Sequence, residues 1–322
     1  QLIGLTGSGY DYADTGAGGG THRYAIPQQL NAAGQVLGYT LRNNASGNAR
    51  GSDAWLWTGS ATQLVGLTGS GYEYAYAGPG GGTYRAGVVS QLNDAGQVAG
   101  RTERRNASGT NLGYDAWLAT GSTTQLAGLT GSGYERIGSG GTYRSSTVNE
   151  LNAAGQVVGY TQRYNASGEP IGRAGWFFDD ATGITTALEF SFRSTDNYSD
   201  TYPAVLTDSG VVLGSYTLFD GATRLAGRAF WWSLDAGFYD LGGLVEGGLT
   251  AEGWQYLAYV YDTAGVAGGA GGAPLHIMGT GWALGQVGEQ SVYLLTATVP
   301  EPATLSLLAL GGIALLGRRR RA

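Results

Sequence analysis

Leu92-Asn93-Asp94-Ala95-Gly96-Gln97-Val98-Ala99-Gly100 is the stretch whose reading decides the fold. Asn and Asp open it and Gly96 sits where a turn needs a left-handed residue, so the segment reverses the chain. Extended runs at 84–92 and 97–104 flank the reversal and predict a β-hairpin. The same stretch stands at 30–38 as Leu-Asn-Ala-Ala-Gly-Gln-Val-Leu-Gly and at 151–159 as Leu-Asn-Ala-Ala-Gly-Gln-Val-Val-Gly. A hairpin written three times is an internal repeat, and repeats govern the architecture before any other signal.

Working outward, Gly-Leu-Thr-Gly-Ser-Gly-Tyr occurs at 4–10, 66–72 and 128–134, at a spacing of 62 residues. Asn-Ala-Ser-Gly follows each hairpin, starting at Asn44, Asn106 and Asn165. Ala54-Trp55-Leu56 returns as Ala116-Trp117-Leu118 and as Gly175-Trp176-Phe177. Two weaker copies follow, one around Leu206 to Trp232 and one around Tyr261 to Leu295. In the second copy the pattern predicts four strands, at 84–92, 97–104, 115–120 and 125–130. No segment before the tail has a helical period.

Four short antiparallel strands per copy predict an all-β fold, a β-propeller of about five four-stranded blades. The blades fall at about 22–68, 83–130, 142–190, 201–244 and 254–296, within a repeat domain at 1–298. Residues 1–6 read as a fourth strand without a third, and 291–296 as a third without a fourth. Their pairing is expected to close the ring and remove the open edges. Trp55, Trp117, Trp176 and Trp231 mark the third strands and are expected to pack between neighbouring copies.

Composition fits this reading. The chain has 59 Gly, 21 Tyr and 8 Trp in 322 residues, which suits tight turns and pleated surfaces. It has no cysteine, which excludes structural disulfides and cysteine-based zinc sites. Every basic residue is Arg. Setting aside the tail leaves 14 Arg against 23 acidic residues, a net charge of −9, which argues against nucleic acid as a partner.

The tail, 299–322, runs Val299-Pro300-Glu301-Pro302, then 15 apolar residues at 303–317, then Arg318, Arg319, Arg320 and Arg321. The apolar run is expected to form a C-terminal hydrophobic helix that anchors the chain transiently in a membrane, its arginines on the cytoplasmic side. In order and composition this tail resembles the PEP-CTERM sorting signal. The resemblance implies export to the envelope or exopolysaccharide of a bacterium, an exosortase as processing partner, and recognition at Pro300, Glu301 and Pro302. A secretory signal is then expected upstream of Gln1. The repeats, through Leu-Asn-x-Ala-Gly-Gln-Val-x-Gly and Ala-Trp-Leu, resemble the HAF-type extracellular repeat family, well over 1–190 and weakly over 200–296. That resemblance implies a propeller-like body without established catalytic activity.

A search for chemistry finds little. His22 and His276 occupy non-equivalent places without ligand spacing, so neither a metal nor a cofactor is expected. The asymmetric carboxylates Asp179, Asp180 and Asp196 are the candidates for a propeller hydrolase, the least favoured reading. Asp53 and Asp115 stand at equivalent positions, whereas a single active site calls for single-copy residues. A carbohydrate-binding surface is the alternative. Its candidates are Tyr10, Tyr72 and Tyr134, which could stack on sugar rings, with Arg85 and Arg144, which could meet acidic polysaccharide. The same tyrosines could instead pack between copies, and the same arginines could pair with the body's own acids. The leading expectation is a non-catalytic exported protein of the envelope or matrix, acting in surface structure or biofilm adhesion.

Overall fold

The computed structural model describes residues 3–13, 20–78, 80–188, 190, 193–264, 275–285 and 290–297. They form an all-β structure whose one described helix is a short 3-10 turn, Leu241–Leu244. The chain divides into two compact units. One comprises Gln1–Glu189 and Thr195–Tyr202; the other comprises Phe190–Ser194 and Pro203–Ala322.

The first unit holds three copies of one antiparallel meander. The first copy is Ala25–Leu30, Val36–Asn43, Ala49–Trp57 and Thr62–Val65. The second is Thr83–Leu92, Val98–Arg105, Asn111–Thr120 and Thr123–Leu126. The third is Gly141–Leu151, Gln156–Tyr164, Pro170–Asp179 and Ile184–Ala187. Short ribbons at Tyr12–Ala13 with Thr21–His22, Tyr74–Ala75 with Thr83–Leu92, and Arg136–Gly138 with Gly141–Leu151 lie in the connections.

The last glycine of the hairpin motif explains why each copy needs it. Gly38, Gly100 and Gly159 lie directly across from Trp55, Trp117 and Trp176. A Cβ on Gly100 would meet the Trp117 ring at 2.5 Å and the Val88 carbonyl oxygen at 2.4 Å. The indole lies flat on the bare backbone, and its far face is free to pack on the preceding copy. Trp117 joins Leu37, Ala54, Leu56 and Val65 of the first copy in one buried cluster. Trp176 does the same with Ala99, Ala116, Leu118 and Ala127 of the second. The expected burial of these indoles between copies holds.

Adjacent copies also touch through backbone. Gly51 and Ser52 pair in parallel with Arg85 and Ala86. The same short bridge recurs as Gly113 and Tyr114 with Arg144 and Ser145, and as Gly172 and Arg173 with Ser199 and Asp200. Gly51 has φ +94°, and a Cβ there would stand 1.9 Å from the Arg85 carbonyl oxygen, so only glycine admits the neighbour.

The hairpin turns form a second seam. Asn31 accepts the Gln35 N–H through Oδ1 at 2.8 Å, and its Nδ2 donates to Gln35 Oε1 and to the Asn93 carbonyl of the next copy at 2.9 Å. Asn93 repeats this with Gln97 and with the Asn152 carbonyl. Gln29 adds a reciprocal pair with the Leu92 backbone, donating to its carbonyl and accepting its N–H.

The second unit contains the strands Val212–Asp220, Thr223–Ser233 and Gly237–Asp240, and a three-stranded sheet of Trp254–Ala264, Leu275–Ala283 and Ser291–Ala297. Ser199–Leu206 runs from the first unit into the second. A core of Leu213, Ala229, Trp231, Leu257, Ile277 and Tyr293, among others, holds this unit together.

Two expectations need correction. Residues 3–6 form no strand: the Leu5 N–H donates to Thr40 Oγ1, and Gly4 lies against Trp55 as Gly66 lies against Trp117. The segment covers the first copy's own indole. Trp231 is buried against Leu257, Ile277 and Tyr293 of the fifth copy, as expected of a residue between copies, but it does not stand at the Trp117 position. Register places Phe230 opposite Gly214, so Phe230 occupies the Trp117 position and Trp231 points to the other face. Among the described residues no helix is long and apolar enough to cross a membrane. The hydrophobic helix expected at 303–317 lies outside the described residues, as do Pro300, Glu301, Pro302 and Arg318 to Arg321.

Candidate functional site

Chemistry-bearing side chains concentrate at the joints between copies. At the first joint, the third strand of the first copy presents Asp53, whose side chain is 1% exposed. The first strand of the second copy presents Arg85. Its Nε donates to Asp53 Oδ1 at 2.5 Å and its Nη2 to Oδ2 at 2.6 Å, a two-pronged grip. Nη1 of Arg85 donates to Glu73 on the connecting segment. Arg42 Nη1 reaches Asp53 Oδ2 at 2.6 Å, and the Tyr10 hydroxyl donates to the same oxygen at 2.6 Å.

The second joint repeats the first. Arg144 grips Asp115 at 2.6 and 2.8 Å and also donates to Glu135. Tyr72 donates its hydroxyl to Asp115 at 2.8 Å, and Arg104 Nε lies 3.2 Å from the same carboxylate. At the third joint the polarity inverts. Ala174 stands where Asp53 and Asp115 stand, and Ser199 stands where Arg85 and Arg144 stand. Arg173, one position earlier, instead grips Asp200, one position later, at 2.6 and 2.8 Å.

Electrostatics at these joints follow from enclosure. Burial opposes ionisation of Asp53, but the Arg85 hydrogen bonds and charge, with Arg42 and Tyr10, outweigh it and hold the carboxyl below the usual carboxylate range. Burial, then the hydrogen bond and charge of Asp53, push the Tyr10 phenol well above its usual value. Burial, then the charge and hydrogen bond of Asp115, do the same for Tyr72.

The candidates for sugar contact therefore have defined places. Tyr10, Tyr72, Arg85 and Arg144 are brought together in pairs, but inside joints and bonded to carboxylates. Tyr134 packs against the core between the second and third copies, where Ala174 has no carboxylate to offer it. The asymmetric carboxylates are engaged as well. Asp180 accepts from Gln97 Nε2 at 2.7 Å, Gln125 Nε2 at 2.9 Å and Thr120 Oγ1 at 3.1 Å, tying the third copy to the second. Asp179 holds its own turn through the Ala181 N–H and Thr182 hydroxyl, and Asp196 is exposed. His22 stacks on Tyr12, and His276 Nδ1 lies 3.1 Å from Thr296 Oγ1. Asn44, Asn106 and Asn165 each accept two backbone N–H groups of their own loop, the geometry of an Asx turn.

A second set of aromatic and cationic groups lines the loops. Arg50 lies over Tyr76 at 4.0 Å, Arg105 over Tyr84 at 4.3 Å, Arg136 over Tyr143 at 4.8 Å, and Arg173 over Tyr202 at 5.5 Å. Tyr76, Arg136 and Tyr202 are exposed. The tyrosines were visible in the sequence, but their pairing with these guanidiniums was not, because the same ring–arginine pair does not recur in every copy.

Among solved structures, the chain is similar to one described as an exo-beta-1,3-galactanase from Bifidobacterium bifidum s17, at 13% identity over 92% of this chain and 94% of that one, TM-score 0.29. A glycoside hydrolase matches at 12% identity over 91% and 95%, TM-score 0.28. The β-propeller domain of the Trilobed protease from Pyrococcus furiosus, with an open velcro topology, matches at 10% identity over 90% and 82%, TM-score 0.28. Likenesses this distant do not bear on activity or substrate. No curated protein is significantly similar to the chain. Residues 298–321 match the PEP-CTERM protein-sorting motif, the address of an exported, envelope-associated protein sorted by an exosortase.

Proposed function

We propose that the chain is a non-catalytic structural protein of the bacterial envelope or extracellular matrix, a rigid array of HAF-type, blade-like repeats of the propeller kind. Its role is in surface architecture or biofilm adhesion, with exopolysaccharide as its surroundings and transient membrane anchorage through its tail. The observation that carries this reading is the use made of the repeated charged residues. Asp53, Arg85, Asp115 and Arg144 hold one copy to the next, where an enzyme would gather single-copy acids in a cleft. The test is expression in an exosortase-bearing host. Alanine at Pro300 and Glu301 is expected to leave the protein unprocessed in the membrane fraction. The purified array is expected to release no reducing ends from a panel of polysaccharides. Turnover abolished by replacing one carboxylate would replace this reading with the hydrolase.

One observation favours carbohydrate binding as a second reading: the exposed Tyr76, Arg136 and Tyr202, each in a ring–guanidinium stack. These faces suit sugar rings carrying carboxylates. Saturable binding on a glycan array, lost in Tyr76→Ala and retained in Tyr72→Phe, would establish it.

A further inference from the structure

The joint between the fourth and fifth copies lies inside the second unit. In the first two joints the acid stands two residues before the indole. Asp53 precedes Trp55 and faces Thr40; Asp115 precedes Trp117 and faces Thr102. Phe230 takes the indole's position in the fourth copy, so the acid's place falls to Arg228, which faces Tyr216. A cation therefore stands where two other joints bury a carboxylate.

The side chains around Arg228 do not supply an anion. Its guanidinium lies over the ring of Tyr256, 4.6 Å from the centroid, and Tyr256 in turn stacks on Trp282 at 4.9 Å. A ring attracts a cation across its face but accepts none of the N–H groups in the guanidinium plane. Arg42, Arg105 and Arg173 also lie over tyrosines, yet each keeps a carboxylate: Asp53, Glu103 and Asp200. Arg228 has no such ion pair among the described residues, and its Nε is buried without a hydrogen-bond partner. Asp240, on the strand beside it, is occupied. It accepts the Tyr216 hydroxyl at 2.7 Å and the Gly242 N–H at 2.8 Å. A charged donor enclosed without an acceptor is costly, so the place is short of an anion. Arg228, Tyr256 and Trp282 are only half-buried, so solvent reaches all three.

We propose that this cluster binds a carboxylated sugar, a uronic acid residue of a polysaccharide. Arg228 takes the carboxylate through two parallel N–H bonds, and the stacked Tyr256 and Trp282 offer the flat apolar surface that suits a pyranose ring beside it. The inference stands on Arg228 and its neighbours and does not require the loop rings Tyr76, Arg136 and Tyr202 to bind anything.

Calorimetric titration and thermal unfolding of the full chain in detergent micelles test it. The probes are a short oligogalacturonate, the same oligomer with its carboxylates reduced to alcohols, and inorganic sulfate. The parent is expected to bind the oligogalacturonate saturably and to melt higher in its presence, and to respond to neither of the others at equal concentration. Arg228→Gln is expected to weaken binding about tenfold or more, the loss that goes with a charge-assisted pair. Without ligand the same variant is expected to melt at or above the temperature of the parent, because it removes an uncompensated charge. Arg228→Lys keeps the charge but not the two-pronged geometry and is expected to bind with intermediate affinity. A parent that binds no oligogalacturonate overturns the proposal. So does full affinity in Arg228→Gln, which would move the binding elsewhere, to the loop rings if Tyr76→Ala abolishes it. Sulfate binding as tight as the uronate overturns the sugar as ligand. A ligand-free Arg228→Gln that melts below the parent overturns the premise, since it would reveal an acceptor within the chain.

Discussion

The carboxylate of Asp53 and the guanidinium of Arg85 belong to different repeats, yet they meet as a two-pronged pair at 2.5 and 2.6 Å, both buried. Asp53 sits where backbone of the two copies touches, so this pair carries electrostatics and register at the same point.

Removing one partner is therefore costly. Asp53→Ala leaves Arg85 and Arg42 facing each other in an enclosed site and is expected to destabilise by about 3–5 kcal/mol. Asp200→Ala, at the more exposed third joint, is expected to cost about 1 kcal/mol or less. Urea unfolding of the two variants, compared side by side, measures the difference.

Stability is expected to fall at both ends of the pH scale. The Asp53 carboxyl is held below its ordinary value in the fold, so its contribution is complete above the unfolded value of about 4 and is lost as pH falls through the folded one. Tyr10 and Tyr72 are held above theirs, so their contribution is complete below about pH 10 and is lost as pH rises beyond it. Melting temperature against pH should show both limbs. In the double variant Tyr10→Phe, Tyr72→Phe the alkaline limb should flatten.

Gly100 and Trp117 should behave as one unit. Trp117→Ala is expected to cost about 3–5 kcal/mol through the cavity left between copies. Trp117→Phe should cost markedly less, since Phe230 fills the corresponding place in the fourth copy. Gly100→Ala drives a methyl into the indole and is expected to lose about 1–3 kcal/mol or more. Unfolding midpoints of the three variants check the order.

Asn93 serves its own turn and the Asn152 carbonyl of the next copy. Asn93→Ala removes both and is expected to destabilise by about 1–3 kcal/mol. Asn93→Thr should recover part of it, because Thr207 closes the fourth hairpin by accepting the Val211 N–H at 3.0 Å. Amide exchange at Gln97 and Val211 would report the two turns separately.

What was legible in the sequence was what is local. Asn93 to Gly100 announced a hairpin through turn chemistry, and the return of the motif announced the array. The clip was not legible, because Asp53 and Arg85 lie 32 residues apart and neither identity names the other. A signal did exist: the acid and the arginine recur together in two joints and vanish together in the third, at Ala174 and Ser199. Trp231 misled because two indoles stand in sequence, and a pleated strand sends neighbours to opposite faces, so only register could pick Phe230.

The inverted pair Arg173–Asp200 has a consequence for assembly of the chain itself. Near-identical modules invite mistaken neighbours while the polypeptide is still searching for its native arrangement. A segment bearing Arg85 or Arg144, offered to the position of Ala174, would find no acid and would meet Arg173 instead. The swapped signs thus set the third joint apart from the first two, which share one pair, and are expected to disfavour a second- or third-copy segment docking at the place of the fourth.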